Sequence, residues 1–320
     1  MESGRGKTRM KFGRGKTRMN VQGDRLSNLP DDLIHKILSL VGIKLVVQTS
    51  ALSSRWRYLW TSLPCLNFSS EDFKTLPKFS NFVTNVLSSR NNQIEMPSAI
   101  LSFHVTSEVF EVLVKRIVNY AFYHNVKQLT VSFLPYESEV EFPLSLFSSQ
   151  SLEHLTIGRR PNFIILTSTW ELTSLTTLHL ESITFNDEVT AKDTGIFSKC
   201  ANLKKLVLKY CKMGSSNDVD ICHSELSSLT LEDGTLFRNV INVVEPQLKD
   251  LTVRNWQGLH LISAPELVSL RFEGWQSQWL QFSSYGGGAL MRGEVVGVVV
   301  WAVDGGEVMG LACKRRYVKT

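Results

Sequence analysis

Cys200, Cys211 and Cys222 stand eleven residues apart, and His223 follows the last of them. Thiolates and an imidazole could hold zinc, but a tetrahedral site needs ligand pairs that converge on one ion. None of the five cysteines forms a C-x-x-C pair, and even spacing is what a repeating unit produces. Gly15-Lys16-Thr17 carries the ending of a phosphate loop. That loop also needs a glycine five residues before its last one, so that backbone N–H groups wrap the phosphates. Met10 stands there, and no strand precedes it. His179 has no cysteine or carboxylate signature beside it and reads as polar surface. These residues specify no catalytic, metal or cofactor site.

The elements around these residues bound what the chain can be. At 320 residues, 43% hydrophobic and 20% charged, the chain has material for one to three domains with a real core. Its longest apolar run, Val295 to Val303, is too short to cross a bilayer, which takes about 18 residues. The N-terminus has no apolar signal region, and the cysteine number is odd, so a reducing setting in nucleus or cytoplasm is expected.

The net charge of +5 has a local origin. Arg5, Lys7, Arg9, Lys11, Arg14, Lys16 and Arg18 outweigh Glu2 by six within residues 1–19, leaving −1 for the rest. A nucleic-acid footprint would lie on a folded face, so nucleic acid is not an expected partner. The tail, residues 1–23, contains GRGKTRM twice, at Gly4 to Met10 and Gly13 to Met19, and is expected to be disordered.

Structure is expected from Asp24. Leu29-Pro30-Asp31-Asp32 marks a helix start: proline loses nothing in the first turn, and the two aspartates complement the positive end of the helix dipole. Leu33, Ile34, Ile37, Leu38 and Val41 make one wide apolar face, and Gly42 is expected to end the helix. A second helical stretch is expected from about Lys44 to Trp60, stopped by Pro64. So small a helical module makes an uncomfortable core alone. Either it caps the remainder of the chain, or a partner completes its leftover apolar face.

Leu29-Pro30-Asp31-Asp32-Leu33-Ile34-His35-Lys36-Ile37-Leu38-Ser39, with Val46 to Ser50, Ala51-Leu52 and Ser53-Ser54-Arg55-Trp56-Arg57-Tyr58-Leu59-Trp60, resembles an F-box across about residues 24–68. The resemblance implies docking to a Skp-family adaptor and, through it, to a cullin that carries the ubiquitin-loading machinery. By position it implies that Leu29, Pro30, Leu33, Ile34, Ile37, Leu38, Val46 and Leu52 make or support the adaptor contact. Trp56 and Trp60 are expected to knit the module together.

Residues 69–98 read as a helical linker, with Phe73, Leu76, Phe79, Phe82, Val83, Val86 and Leu87 at helical spacing. Beyond it the pattern apolar-x-x-Leu-x-apolar recurs. It begins at Val126/Leu129/Val131, Leu152/Leu155/Ile157 and Leu175/Leu178/Leu180. It continues at Leu203/Leu206/Leu208, Leu226/Leu229/Leu231, Leu248/Leu251/Val253 and Leu267/Leu270/Phe272, after a degenerate copy at Ile100/Phe103/Val105. The steps of 26, 26, 23, 28, 23, 22 and 19 residues suit leucine-rich repeats over 99–282. Each unit stacks on its neighbours to close a continuous core, with a parallel sheet on the concave face.

Residues between the leucines should point outward from that sheet. One column reads Thr130, Thr156, His179, Val207, Thr230, Thr252, Arg271, and the next Ser132, Gly158, Glu181, Lys209, Glu232, Arg254, Glu273. Their mixed signs suit a protein target. Phe197 to Leu203, leading into Leu206 and Leu208, is similar to plant F-box proteins with short leucine-rich repeats.

From 283 to 320 the chain is glycine-rich and the leucine pattern stops. Val295 to Val303, Asp304-Gly305-Gly306 and Glu307 to Cys313 read as a β-hairpin. Over about 35 residues this stretch resembles the first two strands of RNase H-like domains of plant retroelements. Paired-ion nuclease chemistry needs several carboxylates, and Glu294, Asp304 and Glu307 on so short a fragment do not supply it. Trp275, Trp279, Leu280 and Phe282 close the array without an obvious cap, so a truncated or altered, aggregation-prone end is expected. The whole reads as an α/β chain: a small helical F-box module, then a short leucine-rich-repeat solenoid. Its expected role is substrate recognition in a Skp–cullin–F-box ubiquitin ligase for an unspecified target protein. A plain repeat scaffold or truncated product is the alternative.

Overall fold

The computed structural model describes residues 28–52, 54–104, 108–134, 140–142, 149–159, 164–166, 172–185, 197, 199–212, 219–234, 240–256, 258–273, 278–284, 292–296, 298–304, 307–313 and 316–318. The duplicated basic segment lies outside them.

Three short helices come first. Helix α1, Asp31–Leu38, is entered through Pro30, whose φ of −56° suits a helix start, and Asp31 and Asp32 sit in its first turn. The helix stops at Leu38 rather than at Gly42, and Gly42 instead precedes α2, Ile43–Thr49. The expected continuous second helix is broken: α3 is only Trp56–Leu59, with a 3-10 turn at Trp60–Ser62. Thr49, Ser50 and Thr61 each turn a side-chain hydroxyl onto the carbonyl three residues back, the competition that shortens helices.

Next comes β1, Cys65–Ser69, then α4, Leu76–Ser89, β2, Ser98–His104, and α5, Glu108–Tyr123. Each later coil contributes one strand to the principal sheet and one to a second row. These are β3, Gln128–Leu134, and β4, Val140–Phe142; β5, His154–Arg159, and β6, Ile164–Leu166; β7, Thr177–Glu181, and β8, Ile183–Phe185. Then follow β9, Lys205–Lys209, and β10, Val219–Cys222; β11, Ser228–Glu232, and β12, Val240–Val244; β13, Asp250–Arg254, and β14, Gly258–Ser263. The last are β15, Ser269–Glu273, β16, Gln278–Ser284, β17, Arg292–Val296, β18, Val298–Asp304, β19, Glu307–Cys313, and β20, Arg316–Val318.

The principal sheet runs β1-β2-β3-β5-β7-β9-β11-β13-β15-β17-β20, parallel throughout except for the last pair. A second sheet runs β10-β12-β14-β16-β18-β19, and a third β4-β6-β8. The leucine triads lie inside the principal sheet: Leu178 and Leu180, Leu206 and Leu208, and Leu229 and Leu231 are all fully buried. Alternation then leaves the residues between them on the open face. At the end of four strands the chain turns through left-handed residues, Ser182, Tyr210, Asp233 and Asn255, with φ between 48° and 58°. Each donates its N–H to the next strand at 2.8 Å: to Lys209, Glu232, Arg254 and Glu273 respectively.

Three features depart from the sequence reading. The degenerate copy is out of register: Ala99 and Leu101, not Ile100 and Phe103, pair with Leu129 and Val131, with Met96 in the first position. Leu63, Leu66 and Phe68 form a further copy that the periodicity does not reveal, all within 1% of full burial, with Leu66 and Phe68 paired to Ala99 and Leu101. The helix expected over 69–98 is α4, and it joins two neighbouring strands of one sheet. Finally, the array does not stop at Phe282. Strand β17 extends the principal sheet and β18 the second, and the expected hairpin is the antiparallel pair β18–β19.

Candidate interaction surfaces

Two surfaces gather the polar and apolar groups free to meet a partner. On α1, residues four apart share a side and residues one apart do not. The wide apolar face therefore splits. Ile34 and Leu38 turn inward, with Ile34 fully buried, whereas Leu33 and Ile37 are 47% and 42% exposed. On α2, Ile43 and Val46 are buried and Leu45 is exposed; Leu40, Leu52 and Tyr58 add further exposed apolar area. Leu29 is half-buried against the core, and Pro30 is exposed. Of the residues singled out from the sequence, then, Leu33, Ile37, Leu52 and Pro30 face outward, while Ile34, Leu38 and Val46 hold the module from inside. Trp56 is buried and Trp60 packs partly against the same core. Leu40, Leu45 and Tyr58 were missed; an apolar residue on a helix off its buried stripe is the signal that finds Leu45.

Polar ties fix this small module. The Arg55 guanidinium donates to the Leu29 carbonyl at 2.6 Å and to Asp31 Oδ1 at 2.5 Å, joining the start of α3 to the start of α1. Both partners of the ion pair are exposed, so geometry rather than stability is its contribution. His35 Nε2 lies 3.2 Å from both the Leu59 carbonyl and the Ser62 hydroxyl.

The second surface is the open face of the principal sheet. Register aligns Thr130, Thr156, His179, Val207, Thr230, Thr252 and Arg271 across seven strands. Beside them run Ser132, Gly158, Glu181, Lys209, Glu232, Arg254 and Glu273. The last five alternate in sign, and parallel pairing brings them into contact. Lys209 Nζ reaches Glu232 Oε2 at 2.7 Å; Arg254 Nη1 reaches Glu232 Oε1 at 2.8 Å, and its Nε reaches Glu273 Oε2 at 2.7 Å. Hydrogen bonds from Lys209 and Arg254 hold the Glu232 carboxyl below its ordinary range, and Glu232 and Glu273 raise Arg254 in return. Partial burial lowers the His179 pKa, with Lys209 adding to the shift, so this imidazole is neutral at pH 7.

The cysteines have structural places. Cys211 is fully buried, its thiol donates to the Lys209 carbonyl at 3.3 Å, and burial pushes its pKa up to about 12. Cys200 is buried too, with a pKa pushed up to about 11, and His223 Nε2 meets the Cys200 carbonyl at 2.7 Å. Thiols so desolvated are poor nucleophiles. Among the described residues no group of three His, Cys, Asp or Glu could hold a metal ion.

The F-box domain description matches residues 26–68, and "FBD-associated F-box protein At5g56370, LRR repeats" matches residues 114–285. F-box/LRR-repeat protein 25 of Arabidopsis thaliana is 33% identical over 242 residues, 72% of this chain and 86% of the relative. The chain belongs to the plant F-box/leucine-rich-repeat family. Two further Arabidopsis thaliana relatives agree. Putative F-box/FBD/LRR-repeat protein At4g13965 is 32% identical over 78% of this chain, and F-box/LRR-repeat protein At3g26922 is 31% identical over 78%. The chain spans 57% of the length of the At4g13965 protein and 81% of the At3g26922 protein. No solved structure matches. The F-box match ends at residue 68, inside β1, so the F-box and the repeat sheet overlap in sequence. No enzyme family is indicated.

Proposed function

We propose that this chain is the substrate-recognition subunit of a Skp–cullin–F-box ubiquitin ligase, docking a Skp-family adaptor through the F-box and a target protein through the open face of the repeats. One observation supports docking above all. Six of the eleven large apolar side chains exposed among the described residues fall between Leu33 and Tyr58: Leu33, Ile37, Leu40, Leu45, Leu52 and Tyr58. So many exposed apolar side chains within one short module support an interaction site there. In this role the chain supplies placement, and the bond-making chemistry belongs to its partners. The target face suits a protein: its charges are matched in pairs, and its Thr column offers hydrogen bonds without net charge.

Co-purification with a Skp-family adaptor tests the reading. The native chain is expected to retain the adaptor, and Leu33→Asp with Ile37→Asp to lose it while remaining folded. A native chain that retains no adaptor would overturn the docking role. The same reading places the protein in the nucleus or cytoplasm, which a fluorescent fusion checks.

A further inference from the structure

The last residues of the F-box are also the first strand of the solenoid. Strand β1 pairs in parallel with β2 over five residues, from Cys65 opposite Ser98 to Ser69 opposite Ser102. That leaves β1 as the N-terminal edge of the principal sheet, and the end of a solenoid must be covered. The F-box helices provide cover. Helix α2 packs against β1, and a side-chain carbon at Gly42, which precedes it, would be in ordinary contact with Asp72 Oδ2 at 3.5 Å and the Asn67 carbonyl at 3.9 Å. Lys44 donates to the Asp72 carbonyl, with its ammonium 4.8 Å from the centre of the Phe73 ring.

Ties also run the other way, from the first coil back into the F-box. Arg90, 5% exposed at the end of α4, donates from Nη2 to the Leu63 carbonyl at 2.7 Å. The Asn91 N–H donates to the Thr61 carbonyl at 3.0 Å. Phe73 packs against Phe79 in a tilted pair at 5.4 Å, and Phe79 meets Phe103 of β2 edge-on at 6.1 Å. A single apolar core runs without a break from Ile34 in α1 to Phe272 in β15.

We infer that the F-box helices are the N-terminal cap of the repeat solenoid, so that occupation of their docking face and the order of the first target-facing strands form one equilibrium. In a stacked array each coil is stabilised by its neighbours, and losing the cap unravels the end coil first. A ligand that binds only the folded cap therefore stabilises β1, β2 and β3 by mass action. Reciprocity follows: a target that orders these strands strengthens adaptor binding by the same factor. The adaptor arm of this inference rests on the docking role proposed above, whereas the cap itself does not.

Hydrogen exchange on the full chain, read strand by strand, separates the two. Without any adaptor, Ile34→Ala is expected to speed exchange in β1, β2 and β3 while leaving β11 to β15 near native rates. Ile34→Val, a milder change, is expected to do the same to a smaller degree. Adaptor at about 100 times its Kd is expected to slow exchange in β1–β3 by up to about 100-fold. Acceleration by both variants confined to α1–α3 would overturn the cap. If the variants loosen β1–β3 but no adaptor binds, the cap stands and the docking role falls. Adaptor that binds yet protects only α1–α3 would overturn the coupling.

Discussion

The indole of Trp256 fills the space that a side chain on Gly234 would need: a Cβ at position 234 would lie 2.4 Å from Trp256 Cε3. The two occupy the same place in neighbouring coils, three residues beyond the strand triad, where regular repeats carry Asn or Cys. One coil gives up its side chain and the next fills both shares, with Trp256 fully buried. Gly234→Ala is expected to destabilise by about 1–3 kcal/mol through overpacking, and Trp256→Ala by about 3–5 kcal/mol through the cavity it leaves. The double variant should cost less than the two together, because losing the indole at position 256 makes room for the methyl group added at position 234. Denaturant unfolding of the four proteins checks this; strict additivity would show that the pair does not share space.

Burial pushes the Glu245 pKa up to about 8, with the His223 backbone N–H opposing the shift, so the carboxyl is protonated at pH 7. In the unfolded chain it titrates near 4.3. The folded state then holds more protons between those values, and stability falls as pH rises from about 4.3 to about 8. The expected loss across that window is on the order of 3–5 kcal/mol. Urea midpoints between pH 5 and 9 should slope downward for the native chain, and the slope should flatten in Glu245→Gln. Equal slopes would remove Glu245 as the cause.

The charge ladder on the open face behaves in the opposite sense. Glu232 titrates below its ordinary range when folded, so its stabilisation is present above the unfolded value near 4.3 and is lost as pH falls through the folded one. Arg254→Met removes the cation between Glu232 and Glu273 and is expected to cost about 1 kcal/mol at low salt, less at 1 M salt. Thermal melts at two salt concentrations distinguish this from lost packing, which salt would not diminish.

Neighbouring residues of α1 should part company under substitution. Leu33→Asp, at an exposed position, is expected to change stability by no more than about 0.5 kcal/mol. Ile34→Ala, fully buried, is expected to cost about 2–5 kcal/mol. Circular dichroism melts decide; comparable losses at both positions would mean that α1 does not present Leu33 outward.

Much of this architecture is local and was legible in the residues. A strand buried on one side must alternate, so the triads from Val126 to Phe272 could be read one by one, and their spacing implied stacking. The F-box span carried enough positions in order to be recognised. Leu63, Leu66 and Phe68 escaped because the next triad, beginning at Met96, lies 33 residues on, beyond the usual repeat length, with α4 between. Short strands of the second and third sheets escaped as well, since segments such as Val219–Cys222 and Ile164–Leu166 carry too few residues for a pattern.

What the amino-acid order determined alone was therefore periodicity: which residues repeat, and that the units must stack. Only the tertiary structure decided partners. An alternating strand looks the same after any even shift, so pairing, not pattern, makes Ala99 and Leu101 the equivalents of Leu129 and Val131. A helix apolar on most sides has no inside until something packs on it, so only the folded core decided that Ile34 turns inward and Leu33 outward. Opposite charges spaced 19, 22 and 23 residues apart became a ladder only because parallel strands in register laid them side by side.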